Sequence, residues 1–82
     1  MQQVENTGGG AAALPLRMNR KEICFLLNKK GKGNFVTPMG RPRYDLLNLV
    51  FDEVGLSELI LRGGKTFSVQ DTAVIIKTLN LQ

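Results

Sequence analysis

Between Asn19 and Gly31 the apolar residues Ile23, Leu26 and Leu27 recur at intervals of three and four, with Cys24 and Phe25 widening the stripe. That spacing predicts a helix buried on one side. Asn19 stands at the N-cap position and Glu22 follows three residues later, the pattern of a capping box. Asn28, Lys29 and Lys30 close the last turn, where cations suit the helix dipole, and Gly31 is a ready C-cap. A second stripe, Leu46, Leu47, Val50, Phe51 and Val54, predicts a helix that begins near Pro42 or Arg43 and runs to Val54, with Gly55 ending it. Asp45, Asn48, Asp52 and Glu53 then point outward, and Tyr44 and Leu49 sit at the edges. The stretch from Gly31 to Pro42 reads as a loop, with room for a short strand at Asn34–Thr37.

Beyond Gly55 the pattern changes. Ser57–Arg62 and Lys65–Val69 are apolar runs flanking Gly63-Gly64, a pair that takes positive φ without penalty, and together they predict a tight β-hairpin. The last segment is open to two readings. Ser68 and Asp71 form a capping pair that favours a helix from Val69 to about Leu79, whereas Thr72, Val74, Ile75, Ile76 and Thr78 are β-branched and suit a strand. Helix is preferred, and Asn80-Leu81-Gln82 is assigned no role. The expected fold class is therefore α+β: a small single domain of three helices with a β-hairpin, in the order helix, optional short strand, helix, hairpin, helix. Residues 1–16 carry one charge, a Gly-Gly-Gly run and an Ala-Ala-Ala run. They match neither a secretory signal nor a transit peptide, and read as a flexible N-terminal tail from which Leu14 and Leu16 can tuck onto the domain. The basic domain spans 17–82.

Composition narrows the chemistry. The chain has 82 residues, 43% hydrophobic and 22% charged, which fits one small folded unit. It has no histidine and a single cysteine, Cys24. Zinc fingers, iron–sulfur sites and Ser-His-Asp or Cys-His catalysis therefore have no ligand or base to stand on. Cys24 lies in the apolar stripe and reads as a core residue. No metal, no cofactor and no catalytic residue is expected. The longest apolar run, Ile23–Leu27, is five residues, far short of the roughly 20 of a membrane helix. The expected location is cytoplasmic or nucleoid-associated.

Charge is the most informative feature. The net +4 conceals an asymmetry. Residues 17–43 hold eight cations (Arg17, Arg20, Lys21, Lys29, Lys30, Lys32, Arg41 and Arg43) against Glu22 alone, a local +7. Residues 44–63 hold Asp45, Asp52, Glu53 and Glu58 against Arg62, a local −3. A basic block of this density attracts polyanions. Lys29-Lys30-Gly31-Lys32-Gly33 places three ammonium groups on an open, glycine-rich backbone suited to close approach by phosphate. The spacing is not that of a P-loop. Tyr44 and Phe35 bracket the basic loop, where an aromatic can stack on an unpaired base or plug the edge of a small core.

Two resemblances bear on these residues. Gly40-Arg41-Pro42-Arg43 resembles the core of the AT-hook, whose Gly-Arg-Pro lies extended in the AT-rich minor groove. Met39 stands where that motif usually has another arginine. Two helices followed by a glycine-turn hairpin resemble part of a winged-helix domain, which implies wing contacts from Arg62 and Lys65 and a second helix in the major groove. The acidic outer face of that helix, and the further helix after the hairpin, depart from the pattern. Taken together, the expectation is a small nucleic-acid-binding or transcription-regulating domain of the phage or mobile-element kind, not an enzyme. Arg17, Arg20, Lys21, Lys29, Lys30, Lys32, Arg41 and Arg43 would contact phosphates, Arg62 and Lys65 would contribute secondary contacts, and DNA is favoured over RNA. The alternative is a protein-binding modulator, an inhibitor or adaptor that docks on RNA polymerase or another large nucleic-acid enzyme.

Overall fold

A computed structural model of the chain describes residues 16–62 and 64–82. The expected tail, except Leu16, lies outside the described residues, as does Gly63 of the expected hairpin turn. Four helices follow one another: α1 (Arg20–Lys29), α2 (Tyr44–Glu53), α3 (Ser57–Leu61) and α4 (Val69–Thr78). Helix α1 starts as its sequence predicts. The Asn19 side chain accepts from the Glu22 N–H at 2.8 Å, and Glu22 Oε1 accepts from the Asn19 N–H at 2.9 Å. Ser68 caps α4 in the same way, its Oγ accepting from the Asp71 N–H at 3.0 Å. The capped start decides the last segment in favour of helix despite its β-branched residues.

The three longer helices end alike. After α1 the N–H of Gly31 reaches the Asn28 carbonyl and that of Lys32 reaches the Leu27 carbonyl. This is the paired bonding of a Schellman turn, which needs a left-handed residue at its centre, and Gly31 supplies it at φ +71°. Helix α2 repeats the arrangement through Gly55 and Leu56. Helix α4 repeats it through Asn80, at φ +55°, and Leu81. The final turn sends the Leu81 side chain into the core, where it is fully buried. The C-terminal residues thus have the structural role that the sequence reading denied them.

The expected fold class is overturned. The described residues form no strand or sheet, only isolated antiparallel bridges at Asn19–Thr66 and Val36–Pro42, so the β-hairpin is absent. Ser57–Leu61 is helical instead. Leu56, Leu59 and Ile60 turn inward at spacings of three and four, leaving Leu61 82% exposed, which is a helical stripe read as a strand. The second expected strand splits up. Thr66 bridges to Asn19, Phe67 enters the core, and Ser68 already caps α4. The short strand at 34–37 reduces to the Val36–Pro42 bridge, and Leu16 is exposed rather than tucked in. Without a hairpin there is no wing, and the winged-helix resemblance falls with it.

The core gathers Ile23, Cys24 and Leu27 from α1, Leu47 and Phe51 from α2, Leu59 from α3 and Ile75 and Ile76 from α4, joined by Met18, Phe35, Phe67 and Leu81. Phe51 and Phe67 stack with ring centroids 6.0 Å apart, a separation that suits offset aromatic pairs. Helix α1 packs on α2, and α2 on α3. Helix α4 is tied in by the segment before α1. The Phe67 N–H donates to the Met18 carbonyl at 2.9 Å, and the Met18 N–H donates to Thr72 Oγ1 at 3.2 Å. Thr72, 1% exposed, is the buried polar side chain of the core.

Two stability effects are expected. Leu81→Ala removes a fully buried side chain and should cost roughly 2–4 kcal/mol in urea unfolding followed by circular dichroism. Thr72→Val keeps the shape but strands the buried Met18 N–H, and should cost about 1–3 kcal/mol in the same measurement.

Candidate nucleic-acid interface

The ten candidate cations fall into three groups on this frame. The first runs along α1 and around its C-terminal turn. Lys21, Lys29, Lys30 and Lys32 are all exposed, and none is in an ion pair among the described residues. The bond from the Lys32 N–H to the Leu27 carbonyl, 3.0 Å, folds the chain back so that Lys29, Lys30 and Lys32 surround one turn. Their charge opposes the negative end of the α1 dipole, so the same lysines stabilise the helix end while facing solvent.

The second group surrounds the start of α2. Arg20 lies over the Tyr44 ring, 5.8 Å from its centroid, within cation–π reach. Arg43 is the N-cap and offers no side-chain cap hydrogen bond, and Asp45 is the acid of the first turn, where its charge suits the helix dipole. The backbone around Arg41 is closed on itself. The Arg41 carbonyl accepts from the Thr37 N–H, and the Arg43 N–H donates to the Phe35 carbonyl, both at 2.8 Å. The Gly40–Arg43 backbone is thus bonded to residues 35–37, unlike the free extended peptide that the AT-hook resemblance implies, although the Arg41 side chain stays exposed.

The third group is largely committed to the protein itself. Arg17 donates from Nε to the Phe67 carbonyl at 3.0 Å and from Nη2 to the Thr66 carbonyl at 3.5 Å, reinforcing the tie between the two chain segments. Arg62 donates from Nη1 to both Asp71 carboxylate oxygens, at 2.8 and 2.9 Å, with Glu58 a further 3.9 Å contact. Lys65 is exposed in the connection to α4. The acidic residues Asp45, Asp52, Glu53 and Glu58 are exposed on α2 and α3, away from the lysine turn in sequence and on other elements.

The glycines of the basic loop have structural duties. Gly31 is the helix cap. At Gly33 (φ +148°) a Cβ would stand 2.9 Å from Phe35 Cε2, so only glycine lets that ring cover the backbone. Phe35 itself is 4% exposed and plugs the core, which removes it as a stacking surface, whereas Tyr44 stays partly exposed. The aromatic that sequence reasoning placed in the core and the structure leaves partly in water is Phe25, 38% exposed. Phe25 is two residues from both Ile23 and Leu27, which at 3.6 residues per turn puts it on the far side of the helical wheel from them, and that was the signal.

Cys24 is fully buried, and burial pushes its thiol up to about 11, an effect that a backbone hydrogen bond from Arg43 partly offsets and the nearby Asp45 charge adds to. No group of three or more His, Cys, Asp or Glu residues among the described residues could hold a metal ion. No described helix is long and apolar enough to cross a membrane. No protein-family model, curated protein or solved structure matches this chain.

The thiol has a consequence for alkaline stability. Its folded value lies above the ordinary thiol value of 9.0, so the unfolded chain loses the proton first. The stabilisation is complete below about pH 9 and is lost as pH rises toward about 11. Unfolding titrations across this range should show a decline that is shallower in Cys24→Val, and the native thiol should resist alkylation at pH 8 until denaturant is added.

Proposed function

We propose that the chain is a small nucleic-acid-binding domain, of the kind that regulates transcription, which holds phosphates through the lysines of α1 and its C-terminal turn, with Arg41 and Arg43 assisting. One observation carries the reading: four exposed lysines without ion-pair partners among the described residues occupy α1 and its turn, where Glu22 is the lone acid and its Oε1 accepts from the Asn19 N–H, while Asp45, Asp52, Glu53 and Glu58 lie on α2 and α3. Exposed ammonium groups on a folded frame neutralise phosphates, and the displaced counterions make binding salt-dependent. DNA remains the favoured polymer. Arg17 and Arg62 are demoted, because their guanidinium groups already hold protein carbonyls and Asp71. A protein-docking modulator is the second reading, favoured by Leu49, 60% exposed among Asp45, Asp52 and Glu53 on α2. A large nucleic-acid enzyme such as RNA polymerase would be its partner.

Fluorescence anisotropy on a labelled duplex at several salt concentrations tests the proposal. The triple variant K29A/K30A/K32A should bind more weakly, and its log–log salt slope should be shallower by about 2.7, from about 0.9 per lost phosphate contact. Arg62→Gln should leave binding nearly unchanged while lowering stability by about 1 kcal/mol, as befits an ion pair whose guanidinium side is exposed. A wild-type protein with no measurable affinity for duplex or single strand at physiological salt would favour the docking reading instead.

A further inference from the structure

Of the five aromatic residues, Phe51 and Phe67 are buried against each other, Phe35 is buried over Gly33, and Tyr44 carries Arg20 on its ring. Phe25 is the remaining one, and no cation lies over it among the described residues. It lines a shallow open groove on the outer side of α1 together with Leu26, Lys21 and Lys29. Lys21, Phe25 and Lys29 are successive i, i+4 neighbours, so the face reads cation, ring, cation, with about 5–6 Å between adjacent Cβ atoms. Glu22 is the acid in this groove, and its Oε1 is held by the Asn19 N–H at 2.9 Å. Lys30 and Lys32 follow Lys29 in the turn after α1.

We propose that this face of α1 binds single-stranded nucleic acid, with an unpaired base stacked on Phe25 and the flanking phosphates held by Lys21 and Lys29. A polynucleotide strand alternates an apolar π-face with an anionic phosphate, the complement of the alternation on the helix. In a duplex the base faces are covered by their neighbours, so a ring at this position has a partner only when the strand is unpaired. The inference rests on the nucleic-acid reading above and specifies which form of the polymer is bound.

The test compares a labelled oligothymidine with a duplex of equal length. Phe25→Leu keeps an apolar side chain in the groove and removes the π-face, and at a partly exposed position it should leave the fold intact by circular dichroism. Its affinity for the single strand should fall by about tenfold, the scale of one lost stack, with duplex binding unchanged. The chain has no tryptophan, so Phe25→Trp introduces a lone fluorophore that should restore binding and be quenched by oligothymidine. Unchanged affinity in Phe25→Leu, or an unquenched Phe25→Trp, would overturn the stacking site. If K29A/K30A/K32A still abolished binding in that case, the phosphate reading would stand without it. If the wild type bound neither polymer, both would fail.

Discussion

The fold depends on one long-range tie. The residues just before α1 lie against those just before α4, joined by the Phe67-to-Met18 backbone bond, the Met18-to-Thr72 bond and the Arg17-to-Phe67 bond. Met18 donates and accepts at once, so its peptide groups are satisfied inside a region closed to water. Thr72 can be buried on α4 because its hydroxyl has that partner. Helix α4 then presents Ile75 and Ile76 to the core, and its last turn carries Leu81 in behind them. Some fifty residues separate the two ends of the Arg17 bond. In so small a domain, such a tie does the work of a sheet in holding the segment before α1 to the segment before α4.

The same tie sorts the charges. Arg17 is used up by the carbonyls of Thr66 and Phe67, and Arg62 by Asp71 one turn into α4. The cations left facing solvent belong chiefly to α1, its turn and the loop that leads to α2. Compact packing of α1 on α2 keeps Arg20 over Tyr44 and sets Arg43 at the start of the second helix. The result is a basic helix and turn backed by a small apolar core, with the acids of α2 and α3 elsewhere on the surface. On the proposed function, a polyanion would be drawn to the α1 side by electrostatics before any specific contact formed.

Local chemistry was legible in the residues themselves. The capping box at Asn19 and Glu22, the cap at Ser68, the inner residues Ile23, Leu27, Leu47 and Phe51, and the burial of Cys24 all follow from spacing and from side-chain bonding over three or four residues. So does the separation of basic from acidic stretches. The segment from Ser57 to Val69 misled because both of its readings satisfy local rules. A glycine pair between apolar runs suits a hairpin, and Leu56, Leu59 and Ile60 suit a helix. What separates them is where Phe67 goes.

Sequence by itself determined which residues start helices, which faces are apolar and where the charge lies, because each depends on neighbours within a turn or two. Tertiary structure decided that Phe67 stacks on Phe51 and pairs its backbone with Met18, which denies the hairpin its second strand. It also decided that Leu81 is core, that Phe35 is sealed over Gly33, and that Phe25 faces the groove. These outcomes rest on contacts between distant parts of the chain, and whether such a contact repays the entropy of closing the loop depends on the whole packed core.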